Sequence, residues 1–263
     1  MSKYERAYSL LIANIMNEGE FRHTRNGTTR ALFGTSLKVD LRQGYFPLLQ
    51  CRKMFYKGVF GELAAFVRKP THVDDFTRWG CNYWGPWADE NGELRLDYGN
   101  AWFEGDQIDR LIHDLRYNQT SRRLIISSWR PENLDRLSLP CCHHMYQFYV
   151  DNQGCLHMLW MQRSVDVFIG LPSDVVLAAA MLIAIAKEAD LDPGTITFSF
   201  GDTHIYGDHS QAVAEYLHAT SYLKFSSQPT YTYTGTEFVE FEPDQLQIHS
   251  YEHGPAIKAQ VIA

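Results

Sequence analysis

The sequence predicts a single mixed α+β domain, and three observations carry that prediction. Apolar residues recur at helical spacing near the start of the chain. Strands of alternating character follow one another through its middle, and a nearly all-apolar run from Val175 to Ala186 reads as a helix enclosed on every side. No internal repeat, low-complexity tract or linker divides the 263 residues.

Tyr4, Tyr8, Leu11 and Ile15 mark the buried face of an N-terminal helix that Gly19 ends. Residues 22–30 combine Arg22, Arg25 and Arg30 with threonines, Asn26 and Gly27. This is too polar for core, so it reads as a loop, either a clamp for phosphate or a plain solvated turn. Leu37, Val39 and Leu41 alternate as a half-buried strand does. Val59, Leu63, Phe66 and Val67 trace a second helix that carries Glu62 among apolar neighbours. From Phe76 to Trp102 the chain is aromatic and turn-rich, a pocket wall or simply core packing. Ile108, Leu111, Ile112 and Leu115 give a third helix, and Ser121-Arg122-Arg123 opens a strand over 124–129. A further strand runs from Pro140-Cys141-Cys142-His143 to Val150. It turns through Asp151-Asn152-Gln153-Gly154 and returns from Leu156 to Gln162. Thr195 to Phe200 is another strand, leading into Gly201 to Tyr206. Short Thr- and Tyr-rich strands and turns are expected after it.

Composition narrows the function classes. The net charge of -7 disfavours wide contact with nucleic-acid polymer but leaves room for local arginine sites that hold one phosphate. Five cysteines at irregular spacing suit reduced thiols rather than a disulfide framework. With no leader-like start, the expected location is the cytoplasm. The apolar run 175–186 is shorter than the roughly 20 residues of a membrane span, so no membrane association is expected. His143-His144 has no further ligand at metal spacing, and no metal is expected.

The residues with chemical potential are few. Cys142 stands where a strand begins, as a nucleophile or as a small buried hydrophobe. His143 beside it points to the opposite face of a strand, so the neighbouring pair is weak evidence for a cysteine–histidine hydrolase. Arg25, Arg122, Arg123 and Arg163 all lie where loops meet elements. Guanidinium forks suit phosphate, and their charge is expected to lower the thiol pKa.

Along nearly its whole length the chain resembles thymidylate synthases. The resemblance is carried by Phe46-Pro47-Leu48, Trp87-Ala88-Asp89-Glu90-Asn91-Gly92, Ser121-Arg122-Arg123, Pro140 to Tyr149, Gln162-Arg163-Ser164, Gly170-Leu171-Pro172, Gly201 to Tyr206 and the C-terminal tail. The resemblance implies a large bent mixed sheet flanked by helices, with one sheet face forming a homodimer interface. It implies 5,10-methylenetetrahydrofolate as cosubstrate and C5 of a pyrimidine deoxynucleotide as the target. Cys142 would add to C6 of the base. Arg25, Arg163 and Ser164, with Arg122 and Arg123 from the second subunit, would hold the 5′-phosphate. His204 and Tyr206 would bind the sugar, with Gln162 beside the nucleotide. Glu62 and Tyr98 would handle protons, and His143 would join a water network near the base. Trp84, Trp87, Asp166, Gly170 and the tail to Ala263 would contact or close over the folate.

One departure decides the expected substrate. Where thymidylate synthases carry Phe-Asn after Gly-Leu-Pro, this chain has Ser173-Asp174. Cytosine reverses the hydrogen-bonding pattern of uracil at positions 3 and 4, and a carboxyl can supply the proton an asparagine lacks. The chain therefore resembles the deoxycytidylate-specific members, the bacteriophage methyltransferases and hydroxymethylases, and dCMP is the expected substrate. Trp84 and the tail favour a methyl product, whereas Arg130-Pro131 resembles the hydroxymethylases. A dUMP-using synthase and a non-catalytic nucleotide- or RNA-binding relative are the alternatives.

Overall fold

The computed structural model describes residues 1–262. Helix α1 (Lys3–Glu18) starts at Ser2, whose hydroxyl accepts the Glu5 backbone N–H at 3.0 Å, and it buries Tyr4, Tyr8, Leu11, Ile12 and Ile15. The expected arginine loop is instead a hairpin of β1 (Glu20–Thr24) and β2 (Gly27–Asp40). Two residues, Arg25 and Asn26, suffice for the reversal because Gly27 adopts a φ of 121° and the Thr24 hydroxyl donates to Gly27 O. The polarity of this segment reflects an exposed edge of the sheet rather than irregular backbone.

Helix α2 (Tyr56–Phe66) is buried on nearly every side and includes Glu62. Short α3 (Val73–Thr77) and two 3-10 turns fold the aromatic segment against it. Helix α4 (Gln107–Tyr117) and strand β3 (Ile125–Ser127) follow as the periodicity predicts. Strand β4 (His143–Val150) returns as β5 (Cys155–Asp166), which runs four residues beyond the expected end at Gln162. Helix α5 (Gly170–Glu188) begins five residues before the expected Val175, with Pro172 in its first turn, where the missing N–H costs nothing. Among the described residues α5 is long and apolar enough to cross a membrane by length and composition. With 78% of its apolar window buried, it serves here as the central core helix.

Strand β6 (Asp192–Tyr206) completes the large sheet, ordered β1-β2-β6-β5-β4-β3 and antiparallel except for the parallel β5–β6 pair. The architecture is the expected mixed α+β sheet flanked by helices. After Tyr206 the chain forms α6 (Ser210–Tyr222), where only strands and turns were expected. Its buried face of Ala212, Val213, Tyr216 and Ala219 is too small-residued to stand out as periodic. Short strands follow as expected, β7 (Thr230–Tyr233) and β8 (Leu246–His249), and they pair as a separate small sheet.

Candidate active site

Strand register assembles the site. His143 pairs with Gln162, Ser164 lies opposite Asp202, and Asp166 lies opposite His204. Across the next ladder Thr29 pairs with Tyr206 and Ala31 with His204. The cysteine strand, the Gln162-Arg163-Ser164 segment and the Asp202–Tyr206 segment therefore meet at one end of the sheet, under the β1–β2 turn.

There a cavity of about 360 Å³ is lined by Thr24, Arg25, Asn26, Thr29, Arg163, Ser164, Asp202, His204 and Tyr206. It contains two guanidinium groups and several hydroxyl and amide groups, a composition suited to one phosphate ester and an attached hydroxyl-bearing ring. Asp202 sets the His204 ring by accepting at Nδ1, 2.8 Å away, and pairs with Arg22 at 2.9 Å. Tyr206 packs edge-on to His204. Arg22 and Asn26 were read only as part of a candidate clamp loop, and Asp202 was given no role from the sequence. Their signal lay in the register that carries the hairpin over β6, which no local pattern displays.

Cys142 is half-buried at the start of β4. Its backbone N–H donates to the Tyr98 hydroxyl at 2.8 Å, and its carbonyl accepts from Arg163 N at 2.8 Å. The Arg163 guanidinium holds the preceding turn through Nε to Cys141 O and Nη2 to Pro140 O, both at 2.8 Å. Burial nevertheless raises the Cys142 pKa overall, with Arg163 and Tyr98 opposing it. Arg163 does lower it, as expected of the arginines, but the net shift is upward because desolvation outweighs one guanidinium. Burial also keeps Tyr98 protonated.

Two buried carboxyl groups lie nearby, Asp174 acting on the thiol and Glu62 on Asp174 through charge. Glu62 accepts from Trp84 Nε1 at 2.8 Å and from the Tyr83 hydroxyl at 2.9 Å. Burial pushes its pKa up to about 7 against those two hydrogen bonds, with the Asp174 charge adding to the rise. Asp174, in the first turns of α5 beside Gly170, accepts from Gln162 Nε2 at 2.7 Å. Burial raises it to about 7 as well, helped by the charge of Asp166. Both can therefore hold or release a proton near neutrality. His143 is buried between the rings of Tyr98 and Trp160, with Nδ1 2.6 Å from the Tyr146 hydroxyl, and burial drives its pKa down to about 3. The ring is neutral at working pH.

Trp84 is buried against Phe76 and Trp87. Its indole N–H, committed to Glu62, makes Trp84 a partner of that carboxyl as well as an aromatic wall. Asp166 accepts from Phe168 N and Ile169 N and lies 3.7 Å from His209 Nδ1, while His209 Nε2 meets Gln260 O at 2.8 Å. The tail thus docks beside the site as far as it is described, and Ala263 lies outside the described residues.

A family model described as thymidylate synthase matches residues 6–263. The chain belongs to the thymidylate synthase family. Members transfer a one-carbon unit from methylenetetrahydrofolate to a pyrimidine nucleotide and usually work as dimers. Arg122 and Arg123 are exposed, lie outside the cavity of their own chain and make no ion pair among the described residues. Arg130 is tied to Glu104 at 2.7 Å and to the carbonyls of Ala101, Ser127 and Trp129, so it braces its own loop. Tyr83 and Trp160, both in contact with predicted site residues, were not marked by the sequence as functional. The Trp160–Gln162 spacing on one strand face was the available signal.

Proposed function

We propose that this protein transfers a one-carbon unit to C5 of dCMP. The observation that carries the proposal is Asp174, a carboxyl with a pKa near 7 at the mouth of α5, where the family reads its base with asparagine. The Cys142 sulfur forms a bond to C6 and the displaced electron pair moves through the ring. Asp174 supplies the proton that neutralises the N3–C4 edge. Arg25, Arg163, Ser164, His204 and Tyr206 hold the phosphate and sugar, so C6 is presented to the thiol. Loss of the C5 proton is assisted by Tyr98 and by the Glu62 carboxyl, which its pKa near 7 fits for proton exchange. Expulsion of the thiolate, with the ring-edge proton returned to Asp174, then restores the ring.

Methylenetetrahydrofolate supplies the carbon and, for a methyl product, the hydride. Trp84 and Trp87, tilted at 58° with ring centroids 5.4 Å apart, offer an aromatic wall for its ring. Methyl remains the favoured product. The feature that pointed to hydroxymethyl, Arg130, is engaged by Glu104 and backbone carbonyls. The sheet face carrying Met145, Gln147, Tyr149, Leu159 and Met161 is only partly covered within the chain, with Tyr149 exposed and the other four half-buried. It suits a homodimer in which Arg122 and Arg123 reach the partner's phosphate site.

The test is tritium release from C5-labelled dCMP and dUMP with methylenetetrahydrofolate, read alongside the absorbance of dihydrofolate. Release from dCMP with dihydrofolate formation is expected. Release from dUMP alone would overturn the dCMP reading, and release without dihydrofolate would replace methyl by hydroxymethyl.

A further inference from the structure

Trp160 and Gln162 are two residues apart on β5, so their side chains leave the same face of the strand. The Trp160 indole N–H can only donate, and it lies 3.2 Å from Gln162 Oε1. Trp160 is fully buried among His143, Tyr146 and Phe198, and Gln162 is buried with it. Reversing the Gln162 amide would set two N–H groups against each other with no water to receive either. The indole therefore decides an amide orientation that is otherwise ambiguous. Oε1 stays on Trp160, and Nε2 is aimed at Asp174 Oδ2, 2.7 Å away.

This orientation reaches the carboxyl. An amide N–H on Oδ2 makes that oxygen an acceptor, so a neutral Asp174 carries its proton on Oδ1. We propose that Trp160, acting through Gln162, is a positioning residue for base selection that fixes the donor–acceptor polarity of the Asp174 edge. The inference rests on the reading that Asp174 faces positions 3 and 4 of the base. Cytosine offers an acceptor at N3 and a donor at C4, and uracil offers the reverse. A carboxyl edge held in one polarity matches one of them in a given placement. An edge free to exchange its proton between oxygens accepts either. Discrimination then depends on a residue that touches no substrate atom.

The experiment compares kcat/KM for dCMP and dUMP in the wild type, Trp160→Phe, Gln162→Met and the double variant, with folding checked by thermal unfolding. Each single change is expected to shift the dCMP-to-dUMP ratio toward unity by about tenfold. The double variant should shift it no further, because both changes break one chain of hydrogen bonds. A residue of merely structural importance would lower both kcat/KM values together and leave the ratio alone. A folded Trp160→Phe protein with a ratio within twofold of the wild type overturns the inference. If that variant does not fold, an unchanged ratio in Gln162→Met overturns it equally. A wild type selective for dUMP would instead overturn the dCMP reading, while the lock would still be judged by whether the ratio collapses.

Discussion

Replacing Glu62 with glutamine isolates the strain of keeping a carboxyl in this site. Glu62 is 9% exposed, and burial holds its pKa near 7 rather than at the ordinary 4.5. Below 4.5 the group is neutral in both folded and unfolded chains and carries no penalty. As pH rises through 4.5 the unfolded chain ionises while the folded one stays neutral. Folding stability therefore falls until the pH passes 7 and then levels off. Each tenfold change in proton affinity is worth about 1.4 kcal/mol, so the loss between pH 5 and pH 8 is roughly 2 to 3 kcal/mol. Glutamine keeps the shape: its oxygen can accept from Trp84 Nε1, and the Tyr83 hydroxyl can rotate to accept from its amide. Urea unfolding of both proteins at pH 5 and pH 8, at one protein concentration, should show the variant gaining that 2 to 3 kcal/mol on the wild type across the interval. Because all other titrating groups are common to both, the difference belongs to Glu62. Parallel pH dependence in the two proteins would refute the argument.

Asp174→Asn should move the dCMP-to-dUMP preference toward dUMP by roughly 1–3 kcal/mol for each mismatched polar group, measured as the ratio of kcat/KM values. An unchanged preference would mean another residue reads the base. Arg163→Lys should weaken nucleotide binding and slow turnover together, by about 2 kcal/mol, since lysine keeps the charge but cannot reproduce the fork on the Cys141 and Pro140 carbonyls. Isothermal titration and steady-state rates separate the two effects, and a loss confined to binding would detach the fork from the thiol. Inorganic phosphate should slow alkylation of Cys142 by iodoacetamide at a fixed pH, because an anion on Arg163 offsets the charge that opposes the raised thiol pKa. Faster alkylation with phosphate would contradict that.

How far the sequence disclosed this protein depends on whether the signal was local. Helices α1, α2 and α4 and the β4–β5 hairpin are legible because buried side chains recur at the period of each element. Cys142, Asp174 and the arginines are legible because they sit in motifs. What escaped is set by distant pairing. The segment around Arg25 was too polar to look like strand, yet β2 finds its partner in β6, some 170 residues away in sequence. Arg163 to Asp166 read as a strand end, but the parallel ladder to β6 carries β5 through them and so places Ser164 beside Asp202. Helix α6 escaped for a different reason: alanine and tyrosine at its buried positions give little contrast with its exposed face. The sign of the Cys142 shift also needed the fold, since the arginines were visible in sequence but the depth of burial was not.

Arg163 ties the two halves of the site together. Its backbone holds Cys142, its guanidinium holds the turn before the thiol, and the same side chain lines the cavity proposed to take the phosphate. On the proposed reading, a phosphate arriving in that cavity would draw on the charge that opposes the raised thiol pKa, so nucleotide binding alone would not make Cys142 a better nucleophile. The drive for attack then has to come from the base. A proton placed on the ring edge as the sulfur approaches C6 lets the displaced electrons come to rest on a neutral heterocycle. Asp174 and Glu62, both near 7, fit that demand, and the thiol and the phosphate site without them do not. The site therefore divides by proton affinity as much as by position. On the proposed reading, the cavity residues would fix where the nucleotide lies, and the two buried carboxyls would decide when a raised-pKa thiol can react with it.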